Sequence, residues 1–477
     1  MQYEITIGME IHAELATKTK MFCGCLNAPF ESEPNTNVCP VCLGLPGTLP
    51  TMNARAVEWT VDLGADLGAA IAPYTKWDRK SYFYPDLPKA YQLSQYDLPL
   101  LLGGAIEFRD ATSEVKTVKL TRIHLEEDTA KLVHDGARSL VDYNRAGVPL
   151  LELVSEPELH SAADAKAFCQ TYQIILQRRG IARADMEKGE MRCEANISVR
   201  PVGRAKFGTK VEVKNLNSFR SVERAITYEV ERQIAVLEAG GTVEQETRGW
   251  DDSKQLTFVQ RKKETAADYR YFPDPDLPPV SPGTLWDLAA KERQAHAYPH
   301  EVARELMHEY GLSEPVATYL ATKQDGAAVW AELVSECPEP DAGDKAFLQF
   351  ATSLYVNTDT ARALTVPQLV ELAQLVVDRK ISKSQVREVI AACTERGLEP
   401  GEAIQALGLE QVSDAGEIEG IIDAVLAEQA DAVAKYQAGK QETYGFLVGQ
   451  VMRAAKGKAN PAVVNEALRR KLNQEEV

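Results

Sequence analysis

Lys116-Thr-Val-Lys-Leu-Thr-Arg-Ile-His124 runs directly into Leu125-Glu-Glu-Asp-Thr-Ala-Lys131, and Val141-Asp-Tyr-Asn-Arg-Ala-Gly-Val-Pro-Leu-Leu-Glu-Leu-Val154 follows a short way on. The first piece alternates polar and apolar residues with the period of two that marks a strand. Glu4-Ile-Thr-Ile-Gly8 repeats the pattern, and Pro, Gly and Asp turns separate such pieces. Two helical patterns interrupt the strands. One runs from about Asn53 to Leu67; the other covers Ser161 to Arg179, opened by an N-cap serine and closed before Gly180. Strands with inserted helices and no regular βαβ alternation predict an α+β fold with a largely antiparallel sheet.

The same stretch gathers acid. Glu126, Glu127, Asp128, Asp142 and Glu152 lie among apolar residues. Buried carboxylates are costly unless something positive pairs with them, so the stretch points to a metal–phosphate centre. Glu10 and His12 stand two apart on a strand-like segment and therefore face one side. Glu190 and Glu194 add to the set. Hard oxygen ligands suit Mg²⁺ held with phosphate oxygens; the histidine is tolerated by Mn²⁺ and less usual for Mg²⁺. A plain strand edge is the competing reading for Glu10 and His12.

Two polar constellations complement the acids. Ser81-Tyr-Phe-Tyr-Pro-Asp-Leu-Pro-Lys-Ala-Tyr91 crowds aromatic rings, prolines and Lys89 into one loop, which reads as a docking or binding loop. Lys210-Val-Glu-Val-Lys-Asn-Leu-Asn-Ser-Phe-Arg220 reads as a strand, a loop and then a helix from Ser221. Asn215, Asn217 and Ser218 offer donors to an anion there, with Lys214 and Arg220 to neutralise it; ordinary capping is the alternative. In Asp268-Tyr-Arg-Tyr-Phe-Pro-Asp-Pro-Asp276, Arg270 stands among aromatics as a phosphate or carboxylate clamp does. There is no phosphate-binding G-x-x-x-x-G-K-[ST] loop, no Rossmann glycine triplet and no G-x-S-x-G elbow.

A 477-residue chain with 44% apolar and 26% charged residues is an ordinary globular protein of two to four domains. No apolar run reaches membrane-spanning length, and the N-terminus alternates like a strand without the basic start of a signal peptide, so a cytoplasmic location is expected. The net charge of −17 argues against a general nucleic-acid binder, but its distribution is uneven. From Glu410 to Asp431 there are seven acidic and no basic residues; from Lys435 to Lys471 there are eight Lys/Arg and two Glu. Cys23-Gly-Cys25 and Cys39-Pro-Val-Cys42 read as a four-cysteine structural zinc knuckle, with free thiols as the alternative. Cys169, Cys193, Cys337 and Cys393 read as isolated core residues. Proline-dense Asp274–Pro282 reads as a domain exit, residues 295–407 as helical, and Gly401–Gly408 as a break before a last helical module.

Taken together these blocks resemble the B subunits of the bacterial tRNA-dependent amidotransferases. The resemblance rests on Gly8-Met-Glu-Ile-His12, Tyr82 to Tyr96, Leu125 to Lys131, Val141 to Pro157, Arg192-Cys-Glu-Ala-Asn-Ile-Ser-Val-Arg-Pro201, Val213 to Arg220, Asp268 to Pro275 and Gly445 to Met452, so it spans nearly the whole chain. It implies a glutamine-synthetase-like cradle (residues 1–294), a helical domain (295–408) and a tail domain that touches tRNA (409–477). It further implies ATP- and Mg²⁺-dependent phosphorylation of the side-chain carboxylate of Glu-tRNA(Gln) or Asp-tRNA(Asn), followed by amidation with ammonia from the amidase (glutaminase) A subunit. The small C subunit completes the heterotrimer.

Carried over on that resemblance, His12, Glu127 and Glu152 are metal ligands, and Glu10, Glu126 and Glu190 are catalytic or tunnel-side groups. Lys89, Arg192, Lys214, Asn215 and Arg270 are nucleotide or phosphate contacts. Lys456, Lys458, Arg469, Arg470 and Lys471 are the tRNA contacts of the tail. Two stretches depart from the family pattern: Gln260-Arg-Lys-Lys-Glu264, where the family often has Met-Arg-Ser-Lys-Glu, and Arg248-Gly-Trp-Asp-Asp252. Two rival readings are a non-catalytic tRNA-docking scaffold and a carboxylate–ammonia ligase acting on a free substrate.

Overall fold

The computed structural model describes residues 2–262, 268–335, 342–409, 415–455, 459 and 461–474. The chain divides into two compact units, residues 1–302 and 303–477. The first is built on one mixed sheet. Its long strands are β1 (Tyr3–Glu14), β2 (Asp78–Ser81), β3 (Tyr91–Ser94), β4 (Val115–Glu127), β5 (Pro149–Ser155), β6 (Met191–Pro201), β7 (Val211–Leu216), β8 (Glu246–Asp251) and β9 (Leu256–Lys262). They lie side by side in the order β9-β8-β7-β6-β1-β5-β4-β3-β2. Every neighbouring pair along that path is antiparallel except β7 and β8. The α+β class and the antiparallel bias read from the sequence are both present.

The alternation within β1 explains the layering. Ile7, Met9, Ile11 and Ala13 are fully buried against α2 (Ala162–Arg178) and α3 (Phe219–Glu238), in one cluster with Phe168, Tyr172, Val222 and Ile226. Glu10, His12 and Glu14 face the other way. Each large apolar side chain so buried contributes about 1.5–3 kcal/mol, which fixes the register and thereby the polar face. Local signals end the helices where they were read. Asn53 caps α1 (Ala54–Asp66) by accepting from the amides of Arg55 and Ala56, and the Ser161 hydroxyl accepts from Asp164 at the start of α2. Helix α3 starts two residues earlier than expected, because the Ser218 hydroxyl accepts from the Ser221 amide.

Two boundary readings need correction. Asp274–Pro282 is not an exit. Asp274 is buried and its carboxylate meets Arg79 at 2.6 Å, while Thr75 pairs with Val280, so the segment is tied back into the first unit. Gly401–Gly408 is no break either. Glu399 and Glu402 form a capping box, Pro400–Leu407 is helical, and only Gly408, at φ +61°, ends it.

In the second unit, helices from Glu314–Thr322 to Pro400–Leu407 bury Leu333, Leu348, Leu372 and Val389 in one cluster. Helices Ala415–Glu428, Glu442–Ala454 and Pro461–Gln474 bury a separate one around Ile418, Ile422, Leu447, Val451 and Leu468. No helix of the described residues is long and apolar enough to cross a membrane. Cys169, Cys193 and Cys393 are buried, but Cys169 and Cys193 lie against each other rather than isolated; Cys337 lies outside the described residues.

Candidate functional site

Four adjacent strands write the site across their polar face. His124 of β4 stands opposite Glu152 of β5, Glu152 opposite His12 of β1, and His12 opposite Arg192 of β6. Directly opposed residues on one face are close enough to interact. Here His12 Nε2 lies 3.5 Å from Glu152 and 3.7 Å from Glu126, and His124 Nε2 lies 3.5 Å from Glu152. Glu10, opposite Glu194, sits one pleat further along. Glu10, His12, Glu126, Glu152 and Glu194 line an open cavity of about 320 Å³, ringed by Lys80, Arg145, Arg192 and Lys214.

The electrostatics follow from burial and crowding. Burial, with Glu152 and Glu194 nearby, pushes the Glu10 carboxyl up to about 7. Burial opposes charge on His12. Its hydrogen bond with Glu152 and the charges of Glu126, Glu152 and Glu194 nevertheless carry the imidazole up to about 9. Glu152 is held far below the usual range despite burial, by the charge of His124, by His12 and by Arg122. The structure thus balances several carboxylates with two imidazoles and a basic rim.

The donor set fits a divalent cation. Glu10, His12 and Glu152 each place a ligand atom within 4.8 Å of the others, as do His124, Glu126 and Glu152. His12 Nδ1, His124 Nδ1 and Glu126 Oε2 are buried without a hydrogen-bond partner. Of these, Glu126 Oε2 is the atom an ion here would satisfy, since both imidazoles turn Nε2 rather than Nδ1 toward the carboxylates; oxygen and imidazole donors suit a divalent ion.

The structure does not bring together all the residues read as one group. Glu127 is not with His12 and Glu152. Neighbouring residues on a strand point to opposite faces, so Glu126 joins the histidines and Glu127 turns away. Its carboxylate pairs with Lys89 and accepts from the Leu93 amide at 3.0 Å. Lys89 and Glu127 line a separate, smaller cavity of about 90 Å³ with Lys20, Cys42, Arg79 and Tyr91.

Arg192 lines the main cavity, its guanidinium fixed on Asp128 by bonds of 2.8 and 3.1 Å. Lys214 lines it too, 2.6 Å from Glu194. Asn215, at φ +65°, is the exposed extra residue where β6 and β7 shift register. Arg270, at φ +48°, is exposed and lies over the Phe83 ring. Glu190 is buried and paired with Arg183, away from the His12 cavity, and lines another cavity beside Asn217 and Ser218. His124, Lys80 and Arg145 were not singled out from the sequence. His124 had a signal, standing two residues before Glu126 on the same strand.

The four cysteines do converge, with sulfur atoms within 4.8 Å of one another. Cys42 is pulled down to about 4 by its hydrogen bond with Cys23, by the Cys39 amide and by Lys20; Cys25 is pushed up to about 11, chiefly by burial. Such a mixed thiol–thiolate cluster is what a tetrahedral metal replaces. In the tail, Arg470 pairs with Glu419 and Lys471 with Asp423, so part of the basic charge is spent on the acidic helix beside it. Arg469 is exposed, over the Tyr444 ring; Lys456 and Lys458 lie outside the described residues.

A sheet-borne carboxylate–histidine cluster beside a basic rim has the donor set that metal-assisted enzymes use, without naming one of them. Sequence comparison narrows it. Residues 5–286 match the family described as the GatB/GatE catalytic domain, and residues 346–472 match the GatB domain. The aspartyl/glutamyl-tRNA(Asn/Gln) amidotransferase B subunit of Moorella thermoacetica is 45% identical over 99% of this chain and 100% of that protein. Proteins of the same description from a Thermoanaerobacter species and from a Picosynechococcus species are each 44% identical over 99% of this chain, covering 100% and 98% of their own lengths. The chain belongs to the family of amidotransferase B subunits.

Proposed function

We propose that this chain activates the side-chain carboxylate of Glu-tRNA(Gln) or Asp-tRNA(Asn) for amidation. The observation that carries the reading is the convergence of Glu10, His12, Glu126 and Glu152 beneath Lys80, Arg192 and Lys214. A carboxylate is a poor acyl donor, because its leaving group would be oxide. Attack of its oxygen on the γ-phosphorus of ATP releases ADP and leaves an acyl phosphate. Ammonia then attacks the acyl carbon and phosphate departs. Positioning and charge neutralisation dominate phosphoryl transfer. Mg²⁺, when bound, supplies the largest part of that neutralisation.

His12, Glu126 and Glu152 would hold the ion, with Glu10 and His124 beside them. Lys80, Arg192 and Lys214 meet the phosphoryl oxygens, and Asp128 keeps Arg192 aimed. The cysteine knuckle holds a structural zinc. Ammonia comes from the amidase A subunit, with the small C subunit completing a cytoplasmic heterotrimer. The proposed domains are a cradle (1–294), a helical domain (295–408) and a tRNA-contacting tail (409–477), although the first compact unit runs on to residue 302; of the tail residues carried over, Arg469 is described and exposed.

The test is hydroxylamine trapping. The complex is incubated with Glu-tRNA(Gln) or Asp-tRNA(Asn), ATP and Mg²⁺ without an ammonia source. A hydroxamate on the amino-acid side chain is expected, and it must vanish when ATP is omitted. Absence of hydroxamate in a complex that makes amide on adding glutamine refutes an acyl phosphate.

A further inference from the structure

A row of aromatic side chains leads away from the carboxylate cavity. Lys80, on the cavity wall, places its ammonium between the rings of Tyr82 and Tyr269, 5.8 and 5.1 Å from their centroids. Tyr269 meets Tyr271 edge-on at 6.0 Å, and Tyr271 stacks on Tyr96 at 3.9 Å with planes 8° apart. Tyr96 is 59% exposed, so the ring is braced from behind and open in front. Phe83 is 77% exposed, with the Arg270 guanidinium 5.9 Å from its centroid. Arg270 is a non-glycine residue at positive φ, and its amide donates to Asp268 at 3.0 Å. That conformation is uncommon and is kept only where its surroundings hold it.

Exposed rings scattered singly are ordinary, whereas rings gathered beside a cavity mark an interaction site. A protein partner's face calls for contiguous apolar area with few charges at its centre. This row instead interleaves rings with cations on a chain of net charge −17, and it opens into a polar cavity. Rings for bases with cations for phosphates is the chemistry of single-stranded nucleic-acid binding.

We infer that the row seats the unpaired 3′ end of the RNA whose aminoacyl group enters the cavity. The terminal base stacks on the open face of Tyr96, and the preceding nucleotide lies against Phe83 and Arg270. This inference rests on the proposed function and adds the place where the RNA terminus is held.

The experiment uses the complex co-purified with its partner subunits and a tRNA carrying 2-aminopurine as its terminal base. Stacking quenches 2-aminopurine fluorescence. The expected result is quenching on binding. Tyr96→Ala should restore the fluorescence, and Phe83→Ala should weaken acceptor-end binding by roughly tenfold, the order of one lost base stack. Both residues are exposed, so the variants keep the fold, which circular dichroism checks. Bound tRNA without quenching, as when a protein partner covers the rings, overturns the inference and leaves the proposed function standing. Recovery of fluorescence on adding ATP alone, with tRNA still bound, also overturns it, because adenine of the nucleotide would then own the platform. Failure of the wild-type complex to bind tRNA at all overturns the proposed function together with the inference.

Discussion

Replacing Glu126 and Glu127 one at a time by glutamine separates two sites that neighbouring residues serve. Glu126 belongs to the histidine–carboxylate face, Glu127 to the Lys89 cavity. A ligand that binds only the folded state stabilises it by about 2.7 kcal/mol at one hundred times its dissociation constant. Losing one carboxylate from the cation site weakens the ion by about ten- to a hundredfold, on the scale seen when groups around a metal are removed. At the same Mg²⁺ concentration the stabilisation then falls to about 1.4 or about 0.4 kcal/mol. Glu127→Gln leaves that Mg²⁺ term intact. It strands the Lys89 ammonium, whose side chain is 9% exposed, and removing one partner of a buried pair costs about 3–5 kcal/mol with or without Mg²⁺. Urea unfolding followed by circular dichroism, with and without saturating MgCl₂, reads both effects. If Glu127→Gln abolishes the Mg²⁺ stabilisation while Glu126→Gln keeps it, the cation binds on the other face and the histidine–carboxylate site is misassigned.

Three further outcomes are expected. Mn²⁺ must displace the His12 proton, so its affinity should rise by roughly tenfold per unit from about pH 7 to about pH 9 and then level off. Below about 7, protonation of Glu10 steepens the loss; calorimetric affinities independent of pH would contradict the assignment. Arg192→Ala should cost about 1–3 kcal/mol by taking from buried Asp128 its closest cation and leaving only Arg145, at 3.8 Å, and pairing it with Asp128→Asn should recover part of that cost; strict additivity in a double-mutant cycle would deny the coupling. Metal analysis of reduced, purified protein should find one zinc per chain, absent from Cys42→Ser; no zinc in the wild type would defeat the cysteine site.

What was legible in the sequence is what local rules govern. Ser161 announces its helix because a cap is a bond to an amide three residues on. Glu10 and His12 share a face because alternation is intrinsic to a strand. The same rule says that Glu126 and Glu127 cannot both join them. Which one does depends on pairing His124 with Glu152, a register set by partner strands far along the chain. Non-local pairing also hid the return of Asp274 to Arg79 and the neutralisation of Arg470 by Glu419. Asn215 looked like an anion donor because a bulge in β7 cannot be told from a loop by composition.

ATP hydrolysis by the protein co-purified with its partner subunits, with and without Glu-tRNA(Gln) and Asp-tRNA(Asn), tests the central claim most directly. Turnover that requires one of the misacylated tRNAs is the predicted result, and it names the substrate. A complex that binds both tRNAs and hydrolyses ATP with neither would contradict carboxylate activation and leave a tRNA-docking scaffold.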